Sequence, residues 1–198
     1  ALITQLLAGP TNDLVRRRGK RSQAVLSLEA YREKFAELPE DVRSSMTERW
    51  GDPETDPHVA EGAFQLAIHR FGKVVVGVQP ARGYNIDPKA TYHDPDLVPP
   101  HGYFAFYMWL TQEFDSHAVI HLGKHSNLEW LPGKALALSS SCFPEAAFAP
   151  VPHLYPFIVN DPGEGTQAKR RTSAVIIDHL TPPLARAETY GELRDLEA

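Results

Sequence analysis

The stretch that decides the fold is Ala118-Val119-Ile120-His121-Leu122-Gly123-Lys124-His125-Ser126-Asn127-Leu128-Glu129-Trp130-Leu131-Pro132-Gly133-Lys134. Its opening is apolar and reads as a buried strand, Ala118 to Leu122. Two histidines, a carboxylate and two lysines then fall between His121 and Lys134. Open α/β sheets place their ligands just beyond the C-terminal ends of strands. A polar loop released from a buried strand therefore predicts a site.

Two further apolar runs end in the same way. Val74-Val75-Val76-Gly77-Val78 leads into Gln79-Pro80-Ala81-Arg82-Gly83-Tyr84-Asn85. Tyr155 to Val159 leads into Asn160-Asp161-Pro162-Gly163-Glu164-Gly165-Thr166. Helical patterns separate or follow them, at Tyr103 to Phe114, Lys134 to Ser141 and Gln167 to Leu180. The first carries aromatic residues nearly all round, which predicts burial. Strands alternating with helices predict an α/β fold, with a mostly parallel sheet, flanking helices and right-handed crossovers. In such a sheet the loops at Arg82, His125 and Asp161 share one edge. A shorter strand, Phe64 to Ile68, is expected to pair with Val74–Val78 across Arg70-Phe71-Gly72-Lys73.

The first sixty residues read differently. Ser27 is an N-cap for a helix with Leu28, Tyr31 and Phe35 on one face. Pro39 opens a second helix, with Glu40 and Asp41 at its positive end and Val42, Met46 and Trp50 at four-residue spacing. Gly51-Asp52-Pro53 stops it. The expected organisation is a helical segment over 1–60, followed by an α/β domain over 61–198. The basic residues Arg16-Arg17-Arg18, Lys20 and Arg21 read as a solvated face.

Composition narrows the classes. A chain of 198 residues suits one domain, and 42% hydrophobic with 10% aromatic content supplies a core. A net charge of −5 leaves no footprint for nucleic acid. Cys142 is the one cysteine, which excludes an internal disulfide and a zinc ribbon. No apolar run approaches the roughly 20 residues that span a bilayer, so no membrane is expected. The chain opens on Ala1 without a basic leader, and is expected to be an internal part of a longer protein or a processed product.

His121, His125 and Glu129 are spaced by four and share a face if the loop is helical there. Imidazole with carboxylate suits a borderline divalent ion such as cobalt or zinc, or proton transfer near neutral pH. The same spacing also occurs in surface pairs and satisfied core histidines, so it leaves both readings open. Arg82 can clamp a carboxylate or phosphate, or fix its own loop through an ion pair. Lys134 can bind an anion or stay solvated. Asp161 can cap a helix, with Glu164 at the positive end. Lys169-Arg170-Arg171 are expected mostly to face solvent. His58, His69 and His153 read as structural or surface residues. No GxxxxGK[ST] phosphate loop and no GxSxG elbow occurs, so ATP hydrolysis by these residues is not expected.

At Gln79-Pro80-Ala81-Arg82-Gly83, at His121 to His125 with Leu128 to Lys134, and at Asn160-Asp161-Pro162 with Ala168-Lys169-Arg170-Arg171, the chain resembles one family. It is the large, tetrapyrrole-binding subunit of ATP-dependent metal chelatases, which comprises the cobaltochelatase large subunit (CobN) and the magnesium chelatase H subunit. The resemblance is dense from about Val74 onward, and Glu129-Trp130-Leu131-Pro132-Gly133-Lys134 is closer to the cobalt branch. One departure is Ser126, where the family usually has glycine. If that position required positive φ, serine would cost about 1 kcal/mol.

The resemblance implies a cytoplasmic ligase that inserts Co2+, as substrate, into hydrogenobyrinic acid a,c-diamide in cobalamin biosynthesis. ATP would be hydrolysed by separate AAA+ partner subunits, and this segment alone would be inactive. Insertion requires removing pyrrole N–H protons and stripping water from the metal. On that reading Glu129 and His125 take protons or hold the ion in transit, and His121 supports them. Arg82, Asn85, Lys134, Asp161 and Glu164 would contact the macrocycle, with Arg82 and Lys134 facing its acidic side chains. The alternatives are a magnesium chelatase H-type subunit, a non-catalytic tetrapyrrole- or metal-binding module, and a zinc hydrolase using His121, His125 and Glu129.

Overall fold

Short apolar runs separated by glycine and proline give short strands, and the chain has eight among its described residues. The computed structural model describes residues 3–4, 22–84, 94–123, 126–156 and 162–178. Asn85, His125 and Asp161 lie outside these, and for Glu164 the side chain is not described.

A strand lies inside the stretch read as helical. β1 (Ala24–Ser27) pairs antiparallel with β3 (Ala63–Leu66), and β2 (Val59–Ala60) covers the other edge of β3. Between them lie the two expected helices. α1 (Leu28–Ala36) is capped by Ser27, whose hydroxyl accepts the Ala30 N–H at 3.1 Å. α2 (Glu40–Trp50) follows Pro39 and ends on Gly51 with φ +76°.

β4 (Ile68–Phe71) and β5 (Val74–Gly77) form an antiparallel hairpin turned at Gly72, φ +64°. This corrects the expectation that Val74–Val78 belongs to the parallel sheet. Nor is the strand buried on both faces, since Val74 is 62% exposed: a continuous apolar run does not name its partner, and the nearest one is the strand two residues away. The parallel sheet itself is present. β6 (Val119–Ile120), β7 (His153–Pro156) and β8 (Val175–Ile177) run parallel in the order β6-β7-β8. The fold is thus mixed helix and strand, with one parallel sheet among several small sheets.

α3 (His101–Met108) is buried at every residue and continues as one π-turn, Trp109–Glu113. It has no polar face because it is packed all round, as its aromatic content predicts. It joins Tyr31, Val42 and Met46 from before residue 60 to Phe64, Leu128, Leu131 and Phe143 after it. Two other helical expectations change. No helix spans Lys134–Ser141; a short one, α4 (Phe143–Ala147), follows instead, with Pro144 in its first turn. α5 (Pro162–Arg171) stops well before Leu180, because Ala174 and β8 return to the sheet. Among the described residues no helix is long and apolar enough to cross a membrane.

Candidate functional site

The loop from Ser126 to Lys134 is built by backbone carbonyls and the arginines that hold them. Only Leu128–Trp130 form a helical turn, of 3-10 type, and Gly123 has φ +133°. His121 and Glu129 therefore do not share one helical face, and the i, i+4 argument fails there. Two arginines clasp the loop instead. Arg82, 4% exposed, donates to Trp130 O at 2.6 Å and to Asp94 O at 3.3 Å. Arg171, at the end of α5, donates to Glu129 O at 2.8 Å, Leu131 O at 2.8 Å and Lys134 O at 3.1 Å. Burial first of all pulls the Arg171 guanidinium below its usual value. The fork geometry of guanidinium suits several carbonyls at once, which an ammonium cannot match.

So the loops after β5 and β6 do meet, although they leave different sheets. Lys169 and Arg170 are exposed, as expected for most of that basic run, while Arg171 is buried. Lys134 itself is exposed.

Glu129 is 0% exposed. Its Oε1 accepts the Tyr155 hydroxyl at 3.1 Å, and Tyr155 in turn accepts the Ser126 N–H. Ser126 is itself buried, 6% exposed. Its hydroxyl accepts the Leu128 N–H at 3.1 Å and the Gln79 amide at 3.1 Å.

Gln79 is the joint between the two halves of the site. Its Oε1 accepts the Asn127 N–H at 3.0 Å, and its Nε2 donates to the Tyr107 hydroxyl at 2.6 Å. Tyr107 lies 3.1 Å from His121 Nε2, and His121 Nδ1 lies 2.6 Å from His153 Nε2. His153 Nδ1 reaches Thr172 O at 3.2 Å. Burial, with His153 beside it, pushes the His121 imidazole down to about 3, and burial also lowers His153. Both rings are neutral at physiological pH.

A cleft of about 620 Å3 opens between β5 and β6 and is lined by Gln79, His121, Phe106, Val75 and Ile120. Arg70 and Lys73 also line it. Among the described residues no three of His, Cys, Asp and Glu converge to hold a metal, and His125 lies outside them.

Gln79, Tyr107, His153, Tyr155 and Arg171 are the site residues that the sequence does not single out. Gln79 had a usable signal, since it is the first polar residue after the apolar run Val74–Val78. Tyr107 is hidden in an aromatic helix, and His153 lies in a proline-rich connection with no spacing to mark it.

Comparison with known proteins gives the site its context. The family profile described as CobN/Magnesium Chelatase matches residues 1–198. The aerobic cobaltochelatase subunit CobN of Sinorhizobium sp is 65% identical over 198 residues, covering 100% of this chain and 15% of that protein. The magnesium-chelatase H subunit of Chlorobaculum parvum is 41% identical over 174 residues, covering 86% of this chain and 14% of that one. The solved catalytic subunit of cobaltochelatase from Mycobacterium tuberculosis superposes with a TM-score of 0.75 at 46% identity, over 99% of this chain and 17% of that chain. The chain thus spans about 15% of the length of the curated relatives it matches. The chain belongs to the CobN/magnesium chelatase family.

Proposed function

We propose that this segment forms the proton-accepting part of the metal-insertion site in the large subunit of an ATP-dependent cobaltochelatase. The observation that carries the reading is the Glu129 carboxylate, fully withdrawn from water and held through Oε1 by Tyr155. A buried carboxylate is costly, and such groups concentrate where their chemistry is used. Metal insertion supplies a use. Two pyrrole protons leave as the ion enters, and a base that also carries negative charge offsets the incoming cation.

In this proposal Glu129 and His125 accept the protons or hold Co2+ in transit. His121, kept neutral by burial, supports them rather than charging itself. Lys134, exposed at the end of the loop, faces the acidic side chains of the macrocycle. Asn85, Asp161 and Glu164 remain proposed macrocycle contacts. Arg82 is retained as the residue that holds the Trp130 carbonyl, and so acts on the macrocycle through the loop. Cobalt is favoured over magnesium because identity is 65% to the cobalt relative and 41% to the magnesium one. The tetrapyrrole, a corrin precursor, and AAA+ partners that hydrolyse ATP complete the proposed reaction, in the cytoplasm. This segment by itself is expected to release no phosphate from ATP, which a coupled phosphate assay on the purified chain checks.

The test is Glu129→Gln in the full-length protein. Glutamine keeps the shape and most hydrogen bonds but takes no proton and neutralises no cation. Insertion is expected to fall 10²–10⁴-fold, the usual range for losing a general base, with tetrapyrrole affinity nearly unchanged. Insertion within a few-fold of wild type would remove Glu129 from the mechanism. Retained binding with no insertion by wild type would favour a macrocycle-binding module.

A further inference from the structure

Two histidines in contact can hold one proton between them, and what each touches on its far side decides which one owns it. His153 is 2% exposed. On its far side stands the Thr172 carbonyl, which can only accept. The proton on His153 is therefore on Nδ1, and the Nε2 of the neutral ring is a bare lone pair. Across 2.6 Å that lone pair faces His121 Nδ1, which must then carry the hydrogen. His121 Nε2 is left as an acceptor, and the Tyr107 hydroxyl donates to it across 3.1 Å. The Tyr107 oxygen, its proton committed, accepts from the Gln79 amide nitrogen at 2.6 Å. That places Gln79 Oε1 opposite the Asn127 N–H, 3.0 Å away, in the loop that carries Glu129.

Every link in this chain has one direction, fixed at one end by the Thr172 carbonyl and at the other by the Asn127 N–H. The chain stops at a carbonyl on one side and at an amide on the other, and neither passes protons onward. It is an orienting device and not a proton channel. We propose that His153 is a positioning residue of the metal-insertion site: it fixes the tautomer of His121, and through Tyr107 and Gln79 it fixes the 126–129 loop. The inference rests on the chelatase reading and adds to it a residue some thirty positions away in sequence. Without the His153 acceptor, His121 can take the other tautomer, whose Nε2–H confronts the Tyr107 hydroxyl. Tyr107 then rotates, and Gln79 loses its 2.6 Å contact with that hydroxyl, the shortest of the bonds that hold its amide.

The experiment uses the full-length protein with its ATPase partners, Co2+ and the corrin precursor, and measures insertion rate and macrocycle affinity separately. His153→Asn keeps a donor for Thr172 O but is too short to accept from His121. His153→Gln reaches His121 with its carbonyl oxygen. His153→Asn is expected to lose 10–100-fold in rate with affinity unchanged, the usual scale for removing an orienting partner. His153→Gln is expected to stay within about five-fold of wild type by the same measure. Tyr107→Phe cuts the chain at its next link, so the double variant His153→Asn/Tyr107→Phe is expected to be no slower than the slower single one. A His153→Asn rate within two-fold of wild type, equal losses in the Asn and Gln variants, or losses that multiply in the double variant would each overturn the inference. The Glu129→Gln arm separates the two claims. If that variant is inactive while the His153 variants behave as wild type, the positioning role fails and the chelatase reading stands. If wild type inserts no metal, both fail.

Discussion

The Tyr155 hydroxyl supports the buried carboxylate of Glu129. Tyr155, itself 0% exposed, donates to Glu129 Oε1 and accepts the Ser126 N–H. Tyr155→Phe removes both partners at once while keeping the ring that stacks on His153, 5.8 Å between centroids. Leaving buried polar groups unsatisfied costs about 1–3 kcal/mol each, so a loss of about 2 kcal/mol in urea denaturation is expected. The Glu129 carboxyl would also be less well held, and insertion should slow by more than stability alone explains. An unchanged urea midpoint would mean that water replaces the tyrosine hydroxyl without cost.

The loop from Ser126 to Lys134 shows what an element owes to distant side chains. It has one turn of 3-10 helix and otherwise keeps its shape through Arg82 and Arg171. Arg171→Lys preserves the charge but cannot reach the carbonyls of Glu129, Leu131 and Lys134 together. A loss of about 2–3 kcal/mol is expected, read by denaturant unfolding, since buried carbonyls lose their donors. At Gly133 the φ of +136° and a Cβ that would stand 2.8 Å from the Cys142 Cβ both exclude a side chain. Gly133→Ala should cost about 1–3 kcal/mol, and a thermal scan checks it. Local signals were legible in the sequence. The Ser27 cap, the Pro39 helix start and the aromatic helix through Tyr103 all appear as expected, because each is decided within a turn or two. The convergence of loops was legible in part, since the Arg82 and Glu129 loops do touch. What the sequence hides is partner choice. Val74–Gly77 turned to its hairpin neighbour, Val175–Ile177 joined the sheet from a stretch read as helix, and Arg171 turned inward from a basic run. Each of these is settled by tertiary contacts, which residue type alone does not encode.

Across the whole molecule, neutral buried histidines make stability depend on acid. Burial lowers His121 to about 3, and it lowers His153 and His101 as well. His101 is enclosed by the Tyr31 hydroxyl at 2.8 Å and Gly51 O at 3.0 Å, far from the His121 pair in sequence. In the unfolded chain each would titrate near 6.5. Below that value the unfolded state binds protons that the folded state refuses, so stability rises with pH and falls as pH drops. For His121 the window runs from about 6.5 down to about 3. Each histidine contributes at most about 1.4 kcal/mol per pH unit in its window, and relaxation around a charged ring makes the real slope smaller. Asp56 adds to the same trend lower down. Burial opposes its ionisation, but bonds from His58 and Tyr84 outweigh that and hold it below the usual carboxylate range. Its contribution is present at neutral pH and lost as acid protonates it. The expected outcome is a urea midpoint that is nearly level above pH 7 and falls steadily from pH 6.5 to 4.5. His153→Gln, which cannot charge, should flatten that fall, because it removes one titrating ring and relieves its neighbour. A midpoint independent of pH between 6.5 and 4.5 would mean that the His121–His153 pair opens to water and protonates without disturbing the fold.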